Sequence, residues 1–341
     1  MEWKAKWLKP ATDMGDVAPV YTTSFPQKKQ AEKATLYVTA LGTYEAVLNG
    51  SRVGDFILAP GWTTYPHRLQ YQAYDVTPLL KDENTLSITV GKGWYRSRMP
   101  YQASDFQAAL MAKPAGVLAQ LELHFADGTT EIIGSDDSWT VAESSIRFSE
   151  IYDGETCDAS FVPASTEAAV VFDGPFHTLI PQQGEEIKEQ ERVLAASRFT
   201  TPKGETVIDF GQEVTGYVEI TVDAKKGEEI ALSFAEVMDK EGNFYTENYR
   251  GAKAKYRYIC RDGRQIAKAK LTFFGFRYIR IDAFPGGVEK ALPEYFTAIA
   301  IHSDMKRIGH LSCSNPLLNR LFDNIIWGQK GNFVDVPTDC P

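Results

Sequence analysis

Apolar and polar residues alternate along most of this chain, and helical periodicity shows only near its end. Residues 35–40 and 44–48 are short β-prone runs, and the second stops at Asn49-Gly50. That pair adopts positive φ at low cost, so it predicts a tight hairpin. Similar runs follow at 69–74, 86–90, 117–125 and 130–133, the last two joined by Phe125-Ala-Asp-Gly128, a second turn signal. Short strands at this spacing predict a sandwich rather than βαβ units. From 181 to 197 the chain turns polar and charged, with Gln182-Gln-Gly-Glu-Glu186 and then Lys188 to Arg192, and reads as a linker or crossover between two sandwiches. A second β set follows at 216–222, 229–234, 255–260, 270–274, 277–284 and 295–302. In Tyr217-Val-Glu-Ile-Thr-Val222 every second residue is apolar, as one buried sheet face requires.

The last stretch has a different period. Asn315-Pro316 reads as an N-cap followed by proline at the first helical position. Leu317, Leu318, Leu321, Phe322, Ile325 and Ile326 then recur at helical spacing, with Gly331 as the stop. A single short helix draws its stability from packing. The sequence ends ten residues later, so the chain reads as truncated. The apolar stripe is expected to be exposed and to favour a homodimer through residues 315–330.

Composition narrows the function classes. Among 341 residues, 43% are hydrophobic, enough for two cores, and 45 acidic residues against 36 basic ones give a net charge of −9. Such a balance argues against nucleic acid, which asks for a basic face. No run approaches the length of a membrane span, and residues 1–10 lack the apolar stretch of a signal peptide. Cys157, Cys260, Cys313 and Cys340 are scattered without a CxxC pair, which points to a reducing, cytoplasmic setting.

Candidate chemistry is sparse. The pairs Asp136-Asp137, Glu185-Glu186 and Glu228-Glu229 sit in turn or edge settings and read as solvated surface. Asp239-Lys-Glu-Gly-Asn243 lacks the ligand spacing of a calcium loop and reads as a hairpin turn. Five histidines form no metal-binding pattern, so no metal or other cofactor is expected. One cluster stands out: Trp62, Tyr65, Arg68, Tyr71, Trp94, Tyr95, Arg96 and Arg98. Aromatic faces and guanidinium forks suit a sugar-contacting surface, but tryptophans in a sandwich also serve as core. Trp94, Arg96, Trp62 and Arg68 are therefore candidate substrate-binding residues, with packing as the competing reading.

Three blocks resemble the bacterial α-L-rhamnosidases. The first spans 34–98, with Tyr44-Glu-Ala-Val-Leu-Asn-Gly50, Leu58-Ala-Pro-Gly-Trp62, Tyr71-Gln-Ala-Tyr-Asp-Val76 and Gly91-Lys-Gly-Trp-Tyr-Arg96. The second runs from Asp209-Phe-Gly-Gln212 through Ala235-Glu236-Val237 and Tyr245-Thr-Glu-Asn248 to Phe274-Gly-Phe-Arg-Tyr-Ile279, with Phe274 where the family more often has His. The third is Ser314-Asn-Pro-Leu-Leu318, Asn324-Ile-Ile-Trp-Gly328 and Asp335-Val-Pro-Thr-Asp-Cys-Pro341.

The resemblance implies an all-β chain. Two β-sandwich domains, jelly-roll and concanavalin-like, would be followed by the first helix of a truncated (α/α)6 barrel. The expected bounds are 1–180, a linker at 181–197, 198–303 and 304–341. It also implies hydrolysis of terminal α-L-rhamnosyl residues with inversion by the parent enzyme, on rhamnose-containing glycosides or polysaccharides. Inversion takes an acid and a base carboxyl, and both fall outside this chain. Of the family's sugar-contacting carboxylates only Asp339 remains, so the catalytic set here is empty and the fragment is expected to act as scaffold. In some family members the first sandwich binds rhamnose with calcium, which keeps a binding module open; that module's calcium ligands have no match here.

Overall fold

The computed structural model describes residues 1–98 and 113–338. These fall into two compact units. One comprises Met1–Ile151 with Phe161–Gln183, and the other Tyr152–Ser160 with the chain from Gly184 onward. Strands dominate both, and among the described residues there is one α-helix, Pro316–Asn332. No helix among them is long and apolar enough to cross a membrane.

The first unit is a sandwich of two largely antiparallel sheets. One has the order Val170–Val171, Leu8–Lys9, Val117–His124, Lys33–Ala40, Leu69–Asp75 and Leu179–Pro181, with Thr130–Gly134 beside Val117–His124. The other has the order Glu167–Ala168, Thr140–Glu143, Pro19–Pro26, Glu83–Gly91, Thr43–Leu48 and Ser51–Arg52. Glu83–Gly91 shows how the sequence sets the layer: Leu86, Ile88 and Val90 are buried and the residues between them are more open. The Asn49-Gly50 turn forms as expected, with φ of 55° and 84° at the two residues, and Leu48 faces Ser51. Gly128 is likewise left-handed, and its amide donates to the Phe125 carbonyl at 2.9 Å.

In the second unit the sheet runs Gly154–Asp158, Lys255–Ile259, Glu229–Ala235, Phe274–Ala283, Thr206–Ala224, Phe296–Ser303 and Ile187–Leu194. Thr206–Ala224 organises it. Its first half pairs with Phe274–Ala283, and from Gly216 onward it pairs with Phe296–Ser303. The changeover requires glycine, because a Cβ on Gly216 would lie 1.9 Å from the Ile299 carbonyl oxygen. Phe210, Phe234, Phe274 and Phe276 fill the core beside this strand.

Two expectations are corrected. The supposed linker at 181–197 contains the strand Ile187–Leu194, paired with Phe296–Ser303. Its charges disguised it, because an edge strand needs few apolar anchors and solvent accepts the rest; Ile187 alone is fully buried. Residues 270–273 are not a strand. The amides of Lys270 and Leu271 donate instead to the buried Glu155 carboxylate, at 3.1 and 2.8 Å. The segment 239–243 forms a turn as expected: Asp239 accepts from the Asn243 amide at 2.6 Å, and Met238 bridges to Phe244.

Helix formation at the end follows its local signals. Asn315 caps it by accepting from the Leu317 amide at 2.9 Å, and Pro316 occupies the first turn. Leu317, Leu318, Leu321 and Ile325 are all exposed, Leu317 at 77%.

Candidate functional site

The aromatic and arginine cluster of the first unit is assembled by two loops. The Leu58-Ala-Pro-Gly-Trp62 loop is fixed at its base, where the Ala59 carbonyl accepts from the Tyr44 amide at 2.8 Å and the Thr43 hydroxyl at 3.0 Å. The Lys92–Arg96 turn is closed by the Arg96 amide donating to the Lys92 carbonyl at 3.1 Å. Beyond it, the buried Glu150 carboxylate accepts from the Ser97 hydroxyl and from the Arg98 amide, the latter at 3.0 Å. These constraints bring Trp62 and Trp94 face to face at 6.1 Å with planes 16° apart, and set Tyr65 edge-on to Tyr95 at 4.8 Å.

Burial then separates the candidates. Trp94 is 4% exposed, so it packs inside the unit. Arg96 is half-buried with its Nε atom without a hydrogen-bond partner, and burial lowers its pKa against the opposing pull of Asp13. Trp62 is half-buried and Arg68 is exposed. Asp339 lies outside the described residues. Beside the aromatic cluster, a cavity of about 630 Å³ is bordered by Tyr65, Tyr95, Phe172, Asp173 and His177. Its walls are mostly apolar, with the charged groups among its exposed residues.

A second polar constellation lies in the other unit. The register of Thr206–Ala224 against Phe274–Ala283 slips between Asp209 and Val214, so the Asp209-Phe-Gly-Gln212 motif forms a bulge. A bulge re-aims side chains that a regular ladder would send to alternate faces. Arg277 donates to both Asp209 oxygens at 2.8 and 2.9 Å, the forked geometry a guanidinium favours. Burial pushes the Asp209 carboxyl upward, but hydrogen bonds from Arg277 and the Gly211 amide outweigh it and hold it below the ordinary range. Glu213 behaves oppositely. The residue as a whole is exposed, yet desolvation of its carboxyl, reinforced by Glu236 and only partly offset by Arg277, pushes its pKa up to about 8. Glu236 itself accepts from Asn248 at 2.6 Å, and the Tyr249 hydroxyl donates to the Gly275 carbonyl at 2.5 Å.

Sequence reading singled out Asp209, Gln212, Glu236, Asn248 and Arg277 only as marks of resemblance; it did not place them together. They come from four separate segments, and no local period signals their convergence. Phe274 stacks on Phe234 at 3.8 Å with planes 8° apart, so at this position the chain uses an aromatic pair in the core. Among the described residues no three His, Cys, Asp or Glu side chains gather as a metal site.

Two β-sandwich units followed by one helix make this a multidomain β-sandwich chain, and comparison with known proteins specifies it. Residues 29–191 match the α-L-rhamnosidase N-terminal domain, 199–302 the bacterial α-L-rhamnosidase concanavalin-like domain, and 306–341 the bacterial α-L-rhamnosidase six-hairpin glycosidase domain. The chain belongs to the bacterial α-L-rhamnosidase family. An α-L-rhamnosidase of Alteromonas sp. is 33% identical over the whole chain, which covers 39% of that protein. The crystal structure of native α-L-rhamnosidase from Aspergillus terreus superposes with a TM-score of 0.90 at 34% identity, over 99% of this chain and 41% of that one. The Streptomyces avermitilis α-L-rhamnosidase complexed with L-rhamnose gives 0.86 at 34% identity, over 95% and 32%. This chain thus spans between a third and two-fifths of the curated relatives' length.

Proposed function

We propose that this chain is the non-catalytic front portion of an α-L-rhamnosidase, and that its two sandwiches brace the glycosidase domain that begins at the helix. The observation carrying this reading is the match to the glycosidase domain over 306–341 alone, behind two compact β units. The parent enzyme would remove terminal rhamnose from glycosides or polysaccharides with inversion. That chemistry takes a general acid to protonate the leaving oxygen and a carboxylate base to activate water on the opposite face. On the resemblance, both carboxyls are expected to lie outside these 341 residues. The purified chain is therefore expected to release no nitrophenol from p-nitrophenyl α-L-rhamnoside. Turnover that persists through repeated purification would contradict the reading.

A second reading keeps the first sandwich as a rhamnose-binding module. The cavity beside Tyr65 and Tyr95 favours it, since apolar walls with a few polar groups suit a sugar ring. The burial of Trp94 weighs against it, because the residue best suited to stack on a sugar is occupied by packing.

A further inference from the structure

Among the polar contacts between helix Pro316–Asn332 and its sheet, one group contains a histidine set between two acceptors. His302, buried near the end of Phe296–Ser303, has Nδ1 2.9 Å from the Ser303 carbonyl oxygen and Nε2 3.2 Å from a Glu191 carboxylate oxygen. Both neighbours are acceptors. A neutral imidazole carries one N–H and can satisfy only one of them; the imidazolium satisfies both. The other Glu191 oxygen pairs with Lys330, in the last turn of the helix, whose ammonium also lies 4.7 Å from the Trp327 ring centre. One carboxylate therefore joins the edge strand, the neighbouring strand and the helix. Alongside, the Thr215 hydroxyl donates to the Gly331 carbonyl at 3.0 Å, and the Asp335 amide donates to the Ser303 hydroxyl at 3.1 Å.

We propose that His302, Glu191 and Lys330 form a proton-dependent latch that holds the end of the helix to the sheet, closed while the imidazole carries its second proton. When that proton leaves, one ring nitrogen faces an acceptor with a lone pair of its own. With the remaining N–H on Nδ1, donating to the Ser303 carbonyl, the bare Nε2 faces Glu191, which then gains by rotating away and leaves Lys330 without its partner. Other charged groups are near. Lys188 is the register partner of His302 and pairs with Glu186 at 3.6 Å and Asp304 at 3.5 Å. On Thr206–Ala224, Glu213 lies two residues from Thr215 and also changes charge as pH rises toward 8.

The latch has an acid limit as well. Hydrogen bonding from His302, then from Lys330, holds the Glu191 carboxyl down to about 2 against the opposing effect of burial. A depressed carboxyl contributes stability above its ordinary value of 4.5, and that contribution is lost as pH falls toward 2. The closed range is thus bounded on the acid side by Glu191 and on the other side by loss of the imidazole's second proton.

Hydrogen exchange of the 341-residue chain tests this, with helix peptides followed by mass spectrometry at pH 5.5 and 8.5 and corrected to intrinsic rates. Protection over 325–332 is expected to fall at least threefold at the higher pH. In His302→Gln, whose amide donates to Glu191 at any pH, the profile should be flat. Lys330→Met, which removes the ammonium that pairs with Glu191, should be weakly protected at both values. A native profile without the fall, or the same fall in either variant, would overturn the latch; the latter result would assign the effect to Glu213.

Discussion

Replacing Gly216 by alanine is expected to lower the melting temperature of the second unit by about 10 °C. An added Cβ would stand 1.9 Å from the Ile299 carbonyl oxygen and 3.0 Å from the carbonyl carbon. Those are backbone atoms, held by pairing on both sides of Thr206–Ala224, so neither can swing away as a flexible side chain would. Overpacking of a rigid site costs about 3 kcal/mol at its upper range, and in a unit of this size ~1 kcal/mol moves the midpoint by roughly 2–4 °C. Gly204→Ala is the control. Gly204 has φ of 85° but nothing within 4 Å of its Cβ position, so only backbone strain of about 1 kcal/mol is at stake. Equal midpoints for the two variants, measured by calorimetric melting, would show that the strand does not need glycine at the changeover.

The second large effect concerns Trp94. Trp94→Ala is expected to destabilise the first unit by about 3–5 kcal/mol, the range for removing a buried large aromatic side chain. Trp94 is 4% exposed and stacked on Trp62, so its loss leaves a hole that Trp62 cannot close alone. Arg68→Ala, at an exposed position, should leave the midpoint within about 0.5 kcal/mol of the parent. Urea unfolding followed by circular dichroism measures both. A Trp94→Ala protein as stable as the parent would mean that the indole is not part of the packing.

These two positions show what was legible in the sequence. Strand existence was, because Leu86, Ile88 and Val90 alternate with polar residues and one sheet face is buried. The Asn49-Gly50 hairpin and the Asn315-Pro316 helix start were legible as well, since both depend on residues within a few positions of one another. The edge strand Ile187–Leu194 was not, because its charged residues face solvent and mimic a linker. Nor was the passage of Gly154–Asp158 into the second unit, where it pairs in parallel with Lys255–Ile259 about a hundred residues on. The bulge that gathers Asp209, Glu213, Glu236 and Arg277 is a tertiary fact of the same kind.

For the aromatic cluster, composition left packing and sugar contact open. Burial separates its members: Trp94 is inside, Trp62 and Arg96 are half-covered, and Arg68 is free to solvent. A scaffold role asks nothing more of them. A sugar-binding role would have to use the outer face of Trp62, Arg68 and the cavity beside Tyr65 and Tyr95.

Titration of the intact chain with L-rhamnose in a calorimeter, taken to millimolar sugar, tests the scaffold role most directly. The proposed scaffold role predicts heat no greater than dilution. Saturable binding at one site per chain, abolished by Trp62→Ala with the fold intact, would contradict it and make the first sandwich a sugar-binding module.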